Sequence, residues 1–430
     1  MVIINKASSA LIYLTLQLGT VRSMTTTARF SVTEKIYSCS DGVKLAARHW
    51  TNFDTSSNTH EESRHTRKIL CLHGWLDNAA SFNRLAPFLM ESFSSPSGAN
   101  AATIPTEIVA LDFPGHGLSG HKSVDGPPQL LAEYVYYVAE LVEALQWGKG
   151  NAGGAGVGVS RSVVGNINAN SNNSGSKEIV EKQTINKIDT SVENDNHKIF
   201  LIGHSMGSGV SVLACAAFPE WFSSLVILEG GLVARDANDA SRHVRAACQR
   251  RLKSNRTLFP KSNTNSGATG ETVLPRAKIY SNLEQAIEAR LSTTRRMPGD
   301  QFLSFEAARD MVVRATAPAS KVASSTSRQV DSEAVVFRHD PRLQWPSLQY
   351  YTREQVEAFF RDVNTSNIPV CFLWAADGWP VDAWAERIVN DVLKPTILKK
   401  LSGSHHFHAD PDSVEAVANE IIMFAEEQKL

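Results

Sequence analysis

The run Phe200-Leu201-Ile202-Gly203-His204-Ser205-Met206-Gly207 constrains the fold more than any other stretch of this 430-residue chain. An apolar strand pattern ends in a serine flanked by glycines and a helix of small residues follows, so the chain must turn sharply at Ser205. In such a turn the neighbouring backbone leaves no room for side chains at Gly203 and Gly207, and the serine hydroxyl is lifted clear of the main chain. The amide that follows, that of Met206, is aimed at the place where a negative oxygen develops when a carbonyl is attacked. The positive end of the helix adds to that field.

The surrounding sequence alternates strand and helix. Strand-like runs at 30–37 and 43–50, joined through Ser40-Asp41-Gly42, read as a hairpin. Further strands are expected at 68–72, 107–113, 198–202, 224–228, 368–375 and 396–401, and helices at 79–90, 130–146, 208–217, 384–393 and 412–427. Apolar strands without polar alternation, in regular turn with helices, predict a mostly parallel, doubly wound α/β sheet covered on both faces.

Two stretches interrupt this rhythm. Residues 148–197 contain NAGGAGVGVS and NINANSNNSGS and no Leu, Phe, Trp or Tyr, so they are expected to be a disordered insertion. The glycines there follow a helix pattern rather than a strand, which is the wrong context for a dinucleotide cradle. A shorter insertion is expected at 94–106. Residues 232–351, with helical patterns at 283–291 and 305–313, are expected to form a mainly helical cap, leaving 29–231 and 352–430 as the core.

Charge and cysteine usage exclude other classes. The 43 Lys plus Arg against 44 Asp plus Glu leave a formal charge of -1, without the basic face a nucleic-acid binder needs. Positive charge gathers only around 242–256 and at Arg295 and Arg296, as on solvated helix faces. The 5 cysteines are scattered, with no CxxC or Cys/His spacing, which argues against a disulfide framework and a zinc site and for a reducing compartment. No run of about eighteen apolar residues offers an integral membrane span. Residues 1–28 contain Lys6 and Arg22, many Ser and Thr, and no acidic residue, as in an organelle transit peptide; a secretory signal and a start at Met24 are the competing readings. The terminal Gln428-Lys429-Leu430 differs by one residue from the peroxisomal Ser-Lys-Leu address. An intracellular location is expected, mitochondrial or peroxisomal, and cytoplasmic otherwise.

Other motifs complete the chemistry. In Leu72-His73-Gly74-Trp75-Leu76-Asp77-Asn78, Gly74 permits a turn after a strand and the Trp75 amide can supply a second oxyanion donor, while His73 reads as a loop-holding residue. Asp112, in Leu111-Asp112-Phe113-Pro114-Gly115-His116-Gly117, precedes the serine in the chain and reads as structural. A weakly nucleophilic serine needs a base, and the base needs a carboxylate to fix its tautomer. The base is expected at His405, two positions past Gly403, with His406 as the fallback and His408 fixing the loop. A metal reading of these histidines lacks a partner motif. The acid is expected at Asp377, in Ala375-Ala376-Asp377-Gly378-Trp379, with Glu229 in Leu228-Glu229-Gly230 the alternative and Asp382 a third choice. Arg338, His339 and Asp340 read as a salt-bridged corner in preference to a recognition element for acidic substrates.

The order HGWLDN, DFPGHG, GHSMG, AADGW and GSHHFH resembles the α/β-hydrolase superfamily, and LHGWLDNAASFNRLAPFL with Phe337-Arg338-His339-Asp340-Pro341-Arg342-Leu343 resembles its serine hydrolase-like proteins. The resemblance covers about 32–427 apart from the two insertions. It implies a triad of Ser205, Asp377 and His405, an oxyanion hole from the amides of Trp75 and Met206, no cofactor or metal, and a lid that selects substrate. The expected activity is that of a serine hydrolase cleaving a small-molecule carboxylic ester or thioester through an acyl-enzyme. The alternative is a non-catalytic ligand-binding or scaffold protein on the same fold. Nothing in the sequence sets the substrate or the oligomeric state.

Overall fold

Successive residues of a strand point to opposite faces, so a strand that is apolar at every position must be packed on both sides. That is the arrangement found in a computed structural model, which describes residues 30–53, 66–94, 104–123, 130–148, 198–258, 278–299, 301–321 and 331–429. The segment expected at 1–28 and all but the first residue of the insertion expected at 148–197 lie outside the described residues, as does most of the one expected at 94–106.

Eight strands build one sheet: β1 (Ser31–Ser38), β2 (Lys44–Thr51), β3 (Arg67–Leu72), β4 (Thr106–Leu111), β5 (Ile199–His204), β6 (Phe222–Leu228), β7 (Val370–Asp377) and β8 (Ile397–Ser404). Their order is β1-β2-β4-β3-β5-β6-β7-β8. The β1/β2 hairpin turns at Gly42 with φ +85 and β2 is antiparallel to β4, whereas every neighbouring pair from β4 to β8 is parallel. The mostly parallel α/β sheet read from the sequence is therefore present.

The helices are α1 (Leu85–Ser94), α2 (Leu131–Ala144), α3 (Met206–Ala217), α4 (Ala240–Leu258), α5 (Leu283–Thr294), α6 (Phe305–Ala315), α7 (Arg353–Thr365), α8 (Ala383–Ile388) and α9 (Val414–Glu427). On one face Ile199, Leu201, Leu225, Ile227, Val370 and Phe372 join residues of α2, α3 and α7 in a single apolar cluster. On the other, Phe200, Ile202, Val226, Leu228, Cys371 and Leu373 pack with α1 and α9. Each central strand thus deals its residues alternately to two cores.

α7 is absent from the elements expected from the sequence. Its signal is local: Thr352 accepts from the Gln355 N–H and the Gln355 side chain returns to the Thr352 N–H, while Val356, Phe360 and Val363 recur on one buried face. The helix expected at 384–393 is split into α8 and a π-helical turn, Val389–Leu393, that stops at Lys394 in the left-handed region. α4 is mostly exposed, in keeping with the solvated basic face read at 242–256.

Between β6 and α7 the chain builds a small core of its own. Ile287, Leu291, Leu303, Ala307, Ala308, Met311 and Val312 of α5, α6 and their connection cluster with Tyr280, and Ala409, from the loop after β8, joins them. A three-stranded patch, Ile279–Tyr280, Val335–Phe337 and Thr316–Pro318, closes that core, with Val335–Phe337 in the middle.

The chain steps from β3 through α1 to β4 on one side and then crosses through α2 to β5 on the other, so the winding reverses direction at β3 and β5. The carboxyl ends of those two strands flank the crevice where α/β sheets take ligands. Phe372, fully buried in the middle of β7, tests the two-core description. Phe372→Ala is expected to cost about 3–5 kcal/mol, measured as a lower urea midpoint with unchanged slope.

Candidate active site

Ser205 follows the last residue of β5 with φ 52 and ψ -115, a left-handed conformation that costs a non-glycine residue about 1–3 kcal/mol. The turn is held because the Ser205 N–H donates to the Leu228 carbonyl at 3.0 Å and the Ser205 carbonyl accepts from Ser208 N–H at 3.0 Å. A side chain at Gly207 would overlap the Leu72 and His73 carbonyls, and one at Gly203 would overlap the first turn of α3. Those close approaches press the start of α3 against the end of β3. Met206 opens α3, so its N–H belongs to the first-turn donors that a helix leaves unsatisfied.

The loop after β3 is the other half of this crevice. Asp77 N–H closes a turn onto the Gly74 carbonyl at 3.1 Å, Leu76 sits at φ 60, and Trp75 stands at the exposed tip with its indole N–H donating to Leu343 O at 3.0 Å. His73 holds this loop: its Nε2 accepts from the Phe113 N–H at 3.0 Å, which leaves Nδ1–H to donate to Gly74 O at 2.7 Å. Burial lowers its pKa to about 4, so it stays neutral, as a bridging residue must. Asp112 is fully buried; its carboxylate accepts from the N–H groups of Ala79 and Leu118, both at 2.7 Å, and from Arg314 of α6 at 2.9 and 3.1 Å. A side chain at Gly117 would overlap that carboxylate. Both residues fit the structural role read from the sequence.

The carboxylate that faces His405 is Glu229, not Asp377. Glu229 Oε1 lies 3.7 Å from His405 Nδ1, an ion-pair distance longer than a formed hydrogen bond. Buried Glu229, at φ 45 just past β6, is fixed by the Ala375 N–H on Oε2 and the Trp379 N–H on Oε1, both at 2.7 Å. Asp377 stands at the end of β7 with its side chain exposed; its carbonyl, rather than its carboxylate, is engaged, by Gln301 Nε2 at 3.1 Å. A side chain at Gly378 would overlap the Glu229 carboxylate, so the glycine that follows Asp377 makes room for Glu229. Asp382 caps α8, accepting from Ala385 N–H at 2.8 Å.

His405 is mostly buried. Burial lowers its pKa from the usual 6.5, with Glu229 working in the opposite direction. Its carbonyl accepts from Nε2–H of His204, the residue before Ser205, at 2.8 Å, and its N–H donates to Gln301 Oε1 at 3.1 Å. The Trp379 ring lies 5.5 Å from its imidazole.

Behind these groups lies a buried polar hub that the sequence analysis missed. Asp77 Oδ1 pairs with Arg290 of α5 at 2.5 Å, and its Oδ2 faces His406 Nε2 at 3.2 Å and His204 Nδ1 at 3.7 Å. Burial by itself would raise the Asp77 carboxyl; His406 and Arg290 outweigh it and hold the group well below the usual carboxylate range. His408 packs its ring 4.1 Å from that of His204 and 5.3 Å from that of Phe82, and burial with His406 nearby lowers its pKa to about 3. Among the described residues no group of three or more His, Cys, Asp and Glu is arranged to hold a metal ion. The Arg338 to Asp340 corner ties elements together: Asp340 pairs with Arg342, whose guanidinium donates to the carbonyls of Lys122 and Ser123, and the Asp340 N–H donates to Gly115 O at 2.9 Å.

The elbow, the sheet order and a match of residues 69–420 to the model of the alpha/beta hydrolase family agree: the chain belongs to that family. Within it the chain is similar to curated serine hydrolase-like proteins. One, from Dictyostelium discoideum, is 24% identical over 91% of this chain and 83% of its own length, and another, from Danio rerio, is 25% identical over 83% of this chain and 82% of its own. Among solved structures, a hypothetical protein of Pseudomonas aeruginosa PAO1 aligns at 26% identity and TM-score 0.59 over 91% of this chain and 98% of its own. The thioesterase domain from the curacin biosynthetic pathway shares the fold at 15% identity and TM-score 0.53, over 91% of this chain and 99% of that domain. No helix among the described residues is long and apolar enough to cross a membrane.

Breaking the Asp77–Arg290 pair takes the guanidinium from a buried carboxylate and leaves it only the neighbouring histidines. Arg290→Met is expected to cost about 3–5 kcal/mol, read by urea denaturation, and replacing Asp77 by Asn in the same chain should recover part of the loss.

Proposed function

We propose that this protein is a serine hydrolase that cleaves a small-molecule carboxylic ester or thioester through an acyl-enzyme, with Ser205 as nucleophile, His405 as base and Glu229 as the orienting acid. The observation that supports it most is the alignment of the anchored Glu229 carboxylate with His405 Nδ1 beside the strained Ser205 elbow. Glu229 holds Nδ1 protonated, which leaves Nε2 free to take the Ser205 proton as Oγ attacks the acyl carbonyl. Negative charge then forms on the carbonyl oxygen, where the amides of Trp75 and Met206 donate to it. When the tetrahedral adduct collapses, the imidazolium returns its proton to the departing alcohol or thiol. Water, deprotonated by the same imidazole, attacks the acyl-serine and releases the acid. The inserted segment between β6 and α7 touches these loops through Arg290, Gln301 and Leu343, which supports reading it as the cap that selects substrate.

Covalent labelling by a fluorophosphonate probe tests this reading. The wild type should be labelled at Ser205, and Ser205→Ala and His405→Ala should abolish labelling. Glu229→Gln should slow it by about a thousandfold or more, because a carboxamide no longer enforces the tautomer or stabilises the imidazolium. Asp377→Asn should label at nearly the wild-type rate; a large loss in Asp377→Asn with little in Glu229→Gln would return the acid to Asp377.

The pH dependence follows from burial of the base. With the His405 pKa lowered from 6.5, the neutral, competent imidazole persists below that pH, so the acidic limb of kcat/KM should lie below 6.5. Glu229→Gln removes an influence that raises this pKa and should move the limb to still lower pH even as the rate falls. A limb left in place or displaced upward in Glu229→Gln would overturn the assignment.

A further inference from the structure

The imidazole of His405 is 3.7 Å from the Glu229 carboxylate, too far for that contact alone to fix the ring. What fixes it is the peptide that carries it. The His405 carbonyl is gripped by His204 and its N–H by Gln301, so the base is suspended between the nucleophile strand on one side and the inserted segment on the other.

Gln301 is buried and uses both ends of its amide. Oε1 accepts from His405 N–H at 3.1 Å, and Nε2 donates to Asp377 O at 3.1 Å and to Pro298 O at 3.0 Å. Asp377 leads directly into the Gly378-Trp379 turn, whose Trp379 N–H holds Glu229 Oε1. One side chain therefore spans from the loop of the base to the loop that holds the acid. Neighbouring contacts press the same seam together: a side chain at Gly299, which sits at φ +84, would meet the Gly378 carbonyl, Ser404 Oγ donates to Phe302 O, and Ser304 N–H donates to Asp410 at 2.7 Å.

Resting on the hydrolase reading above, we propose that Gln301 is a positioning residue that sets the separation of His405 from Glu229, so that the inserted segment is part of the catalytic geometry as well as a cover. Without this amide the His405 peptide keeps only its His204 tether and the ring drifts from Glu229. The charged and titratable groups around His405 are Glu229, His204, His406 and Asp77; of these, the first lies across the gap that Gln301 spans.

The test is Gln301→Met, which keeps length and burial but neither hydrogen bond, beside Ile287→Ala, which weakens the core that the inserted segment shares with Ala409 and removes no hydrogen bond to the His405 peptide. Expected for Gln301→Met are a melting temperature lower by only a few degrees, fluorophosphonate labelling and kcat slower by about ten- to a hundredfold, and little change in KM for a small ester. The histidine NMR titration assigned to His405, followed in a Ser205→Ala background, should move to lower pH as the influence of Glu229 fades. Ile287→Ala should lose stability while keeping the wild-type rate and titration. Unchanged labelling and titration in Gln301→Met, or equal changes in Ile287→Ala, would overturn the proposal. If Gln301→Met does not fold, Gln301→Asn, one methylene too short to bridge both loops, takes its place. A wild type that is never labelled refutes the hydrolase reading, and the NMR titration still decides the role of Gln301.

Discussion

Everything at the site depends on how closely α3 approaches β3. The Gly207 backbone lies where any side chain would overlap the Leu72 and His73 carbonyls, and this contact forces Ser205 into its left-handed turn between β5 and α3. The strain is tolerated because β5 is buried on both faces and paired on both edges, so the turn has no alternative that keeps the sheet. From this one contact follow the outward turn of the half-buried Ser205, the first-turn amide of Met206 and the proximity of the Trp75 loop.

Much of this was legible in the sequence because local pattern and global fold agree there. The apolar runs at 198–202, 224–228 and 368–375 are strands of the two-sided sheet, and Gly203 and Gly207 are glycines for the steric reason the motif suggests. His73 and Asp112 hold loops, as their places before the serine imply. The carboxylate that faces His405 was not legible in the same way. Position at a strand end cannot separate Glu229 from Asp377; that choice is made by which carboxylate finds two backbone N–H donors, and those donors come from Ala375 and Trp379, far along the chain. Glu229, a non-glycine residue at φ 45 followed by Gly230 and Gly231, carried only a faint local sign of its place.

Asp77, Arg290 and Gln301 were invisible for a related reason. Each is an ordinary polar residue in its own neighbourhood, and each acquires a role from partners about a hundred or more positions away. Long-range polar contacts leave no period in a sequence, whereas packing faces do. α7 shows the middle case: its cap and buried face are written locally at 352–363, in a stretch whose context as an insertion boundary hid them.

The position of Glu229 also determines how the site is divided along the chain. Trp75, Ser205, Met206 and Glu229 all precede the inserted segment, while His405 and the amides that hold Glu229 follow it. The two portions meet along the β6/β7 seam, where Leu225 to Leu228 run parallel to Val370 to Leu373. A cut in the backbone between them leaves each group anchored to a strand of one sheet, so two fragments that re-associate along this seam rebuild the whole constellation. Either fragment alone holds half of the proposed proton-transfer chain, so the proposed chemistry would itself report whether the halves have met.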